Sequence, residues 1–287
     1  MIYALLWTIS YAIANTLIKY VSMNYNLYKS MFYQYIFVSL FWFLLVLFFD
    51  KFSIDFMGHL PLFAIIAVGW FIWIWWLMKW MQKMTSWVNF SIANMYVILA
   101  YFINSYLFPE IEQFPLAKIL LALLFFLIVS LLLFEKNEDE KIRFNSSIIF
   151  PIIAAIWWTT YTTSTNFAVK TWILTPFQGM FYCEFFITII VAFVYLGNSA
   201  YNKKFDFRIN AHHLIFNMLI SFFIFAWALG FFVAYSKTLW NYVNIIALAQ
   251  IPALTILTYI FLKDKMTKAQ VATIAGAFII LLLFIII

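Results

Sequence analysis

Charge is what this chain has least of. Only 10% of its 287 residues are Asp, Glu, Lys or Arg, while 67% are hydrophobic; soluble domains carry about a quarter charged residues. A soluble fold of this length has too small an interior to hide that much apolar surface, so lipid is the expected solvent. Cysteine is nearly absent. Cys183 stands alone inside an apolar run, which excludes an intrachain disulfide and a cysteine zinc cluster. The three histidines, His59, His212 and His213, fall at the edges of apolar segments without acids at ligand spacing, and read as interfacial. Glycine is scarce, six in all, which leaves close helix packing to alanine and serine. A G-x-x-x-x-G-K-[ST] loop is missing, which excludes a P-loop ATP site. No cofactor and no metal site is expected.

What the chain does have is a series of apolar runs separated by short polar breaks. The runs predict membrane helices at 2–22, 31–49, 61–80, 87–107, 115–134, 147–167, 175–196, 212–234, 239–261 and 268–287. The stretch from Ile2 lacks a basic flank and a small-residue cleavage site, so it is expected to be a membrane helix and not a cleaved signal. The longest breaks, Glu135 to Ser146 with its run of charges and Gly197 to Ala211, are too short for an extramembrane domain. The net charge of +6 is spread over these breaks, which points to interfacial anchoring and not to nucleic-acid binding.

The first long break lies near the middle of the chain. A shift of 151 residues places Trp7 on Trp158, Thr8 on Thr159, Asn15 on Asn166 and Lys19 on Lys170. A shift of 154 places Lys83 on Lys237, Ala93 on Ala247 and Glu110 on Asp264. Residues 1–140 and 147–287 therefore read as two repeats of five helices each. Five is odd, so the second repeat crosses the membrane in the opposite sense, an arrangement common among secondary transporters. The expected fold is all-α, with about ten transmembrane helices as two inverted repeats around a central cavity.

Leu5-Leu6-Trp7 followed by Asn15, then Lys83 through Ser91, Ala93 and Asn94 to Pro109-Glu110, resemble an EamA-type repeat. The second copy runs Ala247, Gln250, Pro252, Phe261-Leu262-Lys263-Asp264, Lys268, Gln270 and Gly276. The chain as a whole resembles the drug/metabolite transporter superfamily, which implies ten helices in two inverted repeats and a central solute cavity. Members often carry an arginine near the start of the second helix. This chain has Gln34 there, and Glu184 near the equivalent place in the second repeat.

Glu184 is the one acid well inside a predicted span. Such residues face a cavity or a partner because an ionised carboxylate in lipid is costly. It is either a proton-coupling or amine-binding group, or a packing group hydrogen-bonded to Tyr182 or an amide neighbour. Lys19 and Lys170 are predicted to end their helices and snorkel to the headgroups; beside Asn15 and Asn166 they alternatively form polar patches at the mouths of a cavity. Asn89, Asn94, Asn244 and Gln250 need amide partners in lipid and are candidates either for the cavity wall or for interhelical contacts. Pro252 is expected to bend the ninth helix. Most of the 13 tryptophans, including the run Trp70 to Trp80, read as interfacial or lipid-facing. Trp7, Tyr11, Trp158 and Tyr161 are singled out for the cavity, because they occupy comparable faces of the first helix of each repeat.

Of the basic residues, Lys51, Lys118, Lys170 and Lys237 flank one side of the predicted spans and the other thirteen the opposite side. The positive-inside rule places the thirteen in the cytoplasm and both termini outside; the family resemblance implies cytoplasmic termini. The expected function is secondary transport of a small organic metabolite, such as an amino acid, by alternating access in the plasma (inner) membrane, as a monomer or homodimer with protons as a candidate coupling ion. The alternatives are an intramembrane lipid-modifying enzyme and a structural membrane subunit.

Overall fold

The computed structural model describes residues 2–50, 58–81, 96–107, 116–130, 134–136, 142–144, 149–170, 175–203, 205–237, 243, 246–247, 249–263 and 267–286. Among them are ten helices: α1 (Ile2–Asn24), α2 (Leu27–Phe49), α3 (Leu60–Met81), α4 (Tyr96–Leu107), α5 (Leu116–Ser130), α6 (Ile149–Lys170), α7 (Pro176–Tyr201), α8 (Ala211–Lys237), α9 (Gln250–Leu262) and α10 (Lys268–Ile286). The charged break after α5 holds a short antiparallel pair, β1 (Phe134–Lys136) and β2 (Ile142–Phe144), in which Glu135 stands opposite Arg143. Four segments, Leu27–Phe49, Leu60–Lys79, Phe177–Tyr201 and Ala211–Phe231, are long and apolar enough to cross a membrane.

Local chemistry sets where these helices start. Asn26 caps α2 by accepting from the Lys29 backbone N–H, so the helix begins four residues before the predicted span. Thr175 caps α7 in the same way, with Pro176 in the first turn where its missing N–H costs nothing. Pro252 likewise falls in the first turn of α9, which begins at Gln250 after a turn at Ala249. Val243, Ile246 and Ala247 before it are helical as well, so the helical path is interrupted at Ala249, just ahead of Pro252, in the region where a bend was expected.

On α2 and α8 polar side chains point inward while large apolar ones cover the outer surface, the reverse of a water-soluble bundle. On α2, Ser30, Gln34 and Ser39 are buried while Leu40, Leu44, Leu47 and Phe48 are exposed. On α8, His213, Asn217 and Ser221 are buried while Ile215, Met218, Leu219 and Phe222 are exposed. A surface of that kind is stable in hydrocarbon, and the inward polar groups must then pair with one another.

They do so between α2, α7 and α8. The Gln34 amide donates to Asn217 at 2.9 Å, and Ser221 donates to the Gln34 carbonyl at 2.8 Å. Ser30 meets His213 at 2.8 Å. Ser39 meets Thr188 at 2.7 Å, and Thr188 also reaches the Tyr35 carbonyl. These pairings make α2 parallel to α8 and antiparallel to α7. His213, expected at the interface, is buried between Ser30 and the Tyr25 ring stacked on it at 4.0 Å.

The remaining close partners are α3 with α6, α1 with α8, α1 with α9, α4 with α6, α3 with α7 and α5 with α10. Glycine decides two of these. A Cβ on Gly69 would stand 3.2 Å from the Trp157 carbonyl of α6, and a Cβ on Gly230 would overlap the Trp7 ring of α1. Alanine and serine line the interior as expected (Ala12, Ala67, Ala154, Ala228, Ser221), and Gly69 and Gly230 add two further close approaches.

Candidate substrate-binding centre

Along α1, Thr8, Tyr11, Asn15, Lys19 and Ser22 recur at spacings of three and four and are all buried. This stripe faces the middle of the bundle. Lys19 does not end its helix, because α1 continues to Asn24, and its side chain is only 5% exposed. The predicted snorkelling lysine is therefore an interior one. On α6, Trp158, Thr159, Tyr161, Thr162 and Thr165 form a second buried stripe.

Between the stripes the aromatic rings converge. Tyr11 stacks near-parallel on Trp227 of α8, with centroids 4.4 Å apart at 22°, and on Trp73 of α3, at 6.3 Å and 23°. Trp158 meets Trp73, Trp70, Tyr96, Trp227 and Tyr11. Tyr161 packs on Trp70 at 4.6 Å. Each such pair is worth about 0.5–1.5 kcal/mol beyond its buried area, which makes this cluster the firmest part of the interior. Trp7 lies beside it, wedged against Gly230.

The predicted residues Trp7, Tyr11, Asn15, Trp158 and Tyr161 are thus brought together. Gln250 is buried at the start of α9, the helix that packs on α1. Asn89, Asn94 and Asn244 lie outside the described residues, as does the side chain of Asn166. Trp70, Trp73, Trp227, Tyr35 and Tyr96 belong to the cluster and were not expected there. Trp70 and Trp73, expected at the interface, are at most 2% exposed. The signal available in the sequence was Gly69 immediately before Trp70, a gap in one helix that lets another helix approach its flanking rings. Lys79, by contrast, is exposed at the end of α3 over Trp75 and Trp76, at 5.0 and 5.6 Å, as a snorkelling lysine would be.

Among the described residues the rings leave a void of about 20 Å³ beside Trp158, Thr165, Trp227 and Phe231, room for roughly one water molecule. Buried polar atoms of the cluster find no hydrogen-bond partner among the described residues: the indole N–H groups of Trp7 and Trp73 and, at the void itself, the Thr165 hydroxyl. The Asn15 amide stands beside the Tyr11 hydroxyl within hydrogen-bonding reach. An unsatisfied buried donor costs about 1–3 kcal/mol, so packing alone would favour Phe or Leu at these positions.

Glu184, on α7, is 1% exposed, and its Oε2 has no hydrogen-bond partner among the described residues. Its carboxyl lies within electrostatic reach of the Tyr35 phenol, which accepts a hydrogen bond from Trp70 of the aromatic cluster. Gln34, standing where the resemblance would place an arginine, spends its amide on Asn217 and not on the centre.

A larger, polar cavity of about 480 Å³ opens at the end of the bundle where α2 starts and α7 finishes, lined by Asn26, Lys29, Tyr195, Asn198, Ser199, Asn202 and Asp206. The segment after α7 is stitched across it. Lys29 donates to the Asp206 carboxylate at 2.9 Å and to the Arg208 carbonyl, Tyr33 to the Phe207 carbonyl, and Tyr195 to the Asp206 carbonyl. The Lys29 ammonium and the Arg208 backbone N–H hold the Asp206 carboxyl below the ordinary aspartate range. At the opposite end of the same helix pair, the Asp50 carboxylate accepts from the Thr175 hydroxyl and the Gln178 amide. The α2–α7 pair is therefore fastened at both ends.

No family model matches the chain. No curated protein matches it in sequence. A solved structure described only as the crystal structure of a protein shares the fold, with a TM-score of 0.67 over 98% of this chain and 95% of that one, at 10% sequence identity.

Proposed function

We propose that this protein is a secondary transporter that moves a small organic metabolite by alternating access across the plasma (inner) membrane. The observation that carries the reading is the interior itself: an aromatic centre with buried polar atoms unpartnered among the described residues, inside a bundle whose outer surface is apolar. Packing gains nothing from those polar atoms, whereas a solute passing through needs them for recognition.

The proposed architecture is two five-helix repeats of opposite sense, α1–α5 and α6–α10, with each helix matched to the one five later. The pattern of packing supports it. Under that matching α1 with α8 corresponds to α6 with α3, α1 with α9 to α6 with α4, and α2 with α8 to α7 with α3. The pairs α2 with α7 and α5 with α10 map onto themselves, as they must at a twofold axis. The aromatic centre then lies between the repeats, where inverted-repeat transporters hold their solute. The fastenings at the two ends of α2 and α7 act as alternate gates, and this conformation is the one with both shut. Glu184 is the candidate proton site, because its buried Oε2 has no partner among the described residues to hold its charge.

Reconstitution into vesicles tests the proposal. Saturable uptake of a member of a broad metabolite panel is expected, lost on Trp158→Ala and changed by an imposed pH gradient. Absence of flux for every solute, with the protein folded and inserted, would refute it.

A further inference from the structure

The stack at the centre has a particular shape. Trp73 and Trp227 come from different helices, α3 and α8, and the ring bridging them is the Tyr11 phenol of α1, inclined 23° to one and 22° to the other. Trp70 adds a face at 24° to Trp227. A space walled by ring faces rewards a flat occupant over a bulky one, because stacking falls away when a ring is tilted or puckered. The polar atoms nearby include the Trp73 indole N–H, a donor that is buried and unpartnered among the described residues, the Asn15 amide beside the Tyr11 hydroxyl, and the Thr165 hydroxyl at the adjoining void. No carboxylate among the described residues lines that void.

We infer that the space between Trp73 and Trp227 is a binding slot for a planar aromatic solute with hydrogen-bond acceptors on its edge, and that Tyr11 fills it while the centre is closed. The role of the slot in transport rests on the function proposed above; its ability to bind does not. Opening the slot requires α1 to shift against α8, and with it the Trp7 ring that is seated on Gly230. A slide of α1 along α8 carries the phenol out and exposes the two indoles, the Trp73 N–H and the Asn15 amide to an incoming ring. The acceptor edge of the solute then satisfies donors that the closed protein leaves unsatisfied.

The test is binding to the purified protein in detergent, by calorimetry, with naphthalene-2-carboxylate as probe and decahydronaphthalene-2-carboxylate as its saturated counterpart. The two share charge and carbon skeleton and differ in planarity. Saturable binding of the aromatic acid is expected, about tenfold or more tighter than the saturated one. Tyr11→Ala should tighten it several-fold by removing the internal competitor, and Trp227→Leu should weaken it about tenfold. Trp73→Phe, which keeps a ring and deletes the N–H, should weaken naphthalene-2-carboxylate while leaving unsubstituted naphthalene unchanged. Equal binding of the two acids overturns the inference, as does an affinity indifferent to Tyr11→Ala in a variant that elutes and melts as a folded protein. Where that variant does not fold, anthracene-2-carboxylate quenching of tryptophan emission in the unaltered protein substitutes, and failure of naphthalene-2-carboxylate to relieve the quenching overturns the slot. Binding without vesicle flux would sink the transport proposal and leave the slot standing; flux of other solutes without this binding would do the reverse.

Discussion

Lys29 and Asp206 meet at 2.9 Å across the polar end of the bundle, joining the start of α2 to the segment that leaves α7. The lysine side chain is 11% exposed and the aspartate 65%, so the pair is anchored on the buried side and solvated on the other. Its worth is modest in water-facing geometry. What it adds is direction, since the same ammonium also holds the Arg208 carbonyl.

This arrangement has a signed pH dependence. Asp206 has its folded-state pKa lowered by Lys29 and by the Arg208 N–H. Its contribution to stability is therefore present above the unfolded aspartate value, about 3.9, and disappears as pH falls through the lower folded value. Melting temperature in detergent should decline with acidification in that window. Asp206→Asn should remove that part of the decline; an unaltered slope in the variant would show that the pair is not responsible.

Gly230 should be intolerant of any side chain. Its Cβ would overlap the Trp7 ring, and overpacking of this kind costs about 1–3 kcal/mol. Gly230→Ala is expected to lower the melting temperature, and Trp7→Leu in the same background to restore part of the loss. Gly179→Ala, where a Cβ meets nothing within 4 Å, should not lower it. Equal destabilisation at both glycines would contradict the close α1–α8 crossing.

Glu184→Gln preserves shape and removes the titratable proton. Since Oε2 makes no hydrogen bond with the described residues, the substitution should leave thermal stability within about 0.5 kcal/mol, the range of changes that break no named interaction. In vesicles it should abolish the response of solute flux to an imposed pH gradient. A variant whose flux still follows the gradient removes Glu184 from the coupling step.

For the orientation, the prediction follows charge. The ends of α1 and α7 and the starts of α2 and α8 share one face, which carries Lys29, Lys203 and Arg208, and this is the side to which the count of thirteen basic residues belongs. The positive-inside rule makes it cytoplasmic. Reporter enzymes fused to the termini should therefore be active outside the cytoplasm. Activity inside at both ends would reverse the assignment and favour the orientation that the family resemblance implies.

Much of the helix pattern was legible because hydrophobic run length is a local property. The positions of the described breaks and the inward face of α1 follow from spacing along the chain. The fate of the tryptophans did not. Trp70, Trp75 and Trp76 belong to one apolar run, yet Trp70 is buried at the centre while Trp75 and Trp76 lie under the exposed Lys79. Lys19 illustrates the same limit, for whether a lysine near a helix end snorkels or turns inward depends on what stands beside it.

The sequence by itself determined that the chain is helical and suited to lipid, because solvent preference sums over residues without regard to their partners. It also determined which helix faces are polar, since periodicity is read along a single helix. The tertiary structure alone decided which rings share the centre, because Tyr11, Trp73, Trp158 and Trp227 come from four helices brought together by the crossings at Gly69 and Gly230. It also decided how closely those rings pack on one another, because the space between helices is encoded by no single helix.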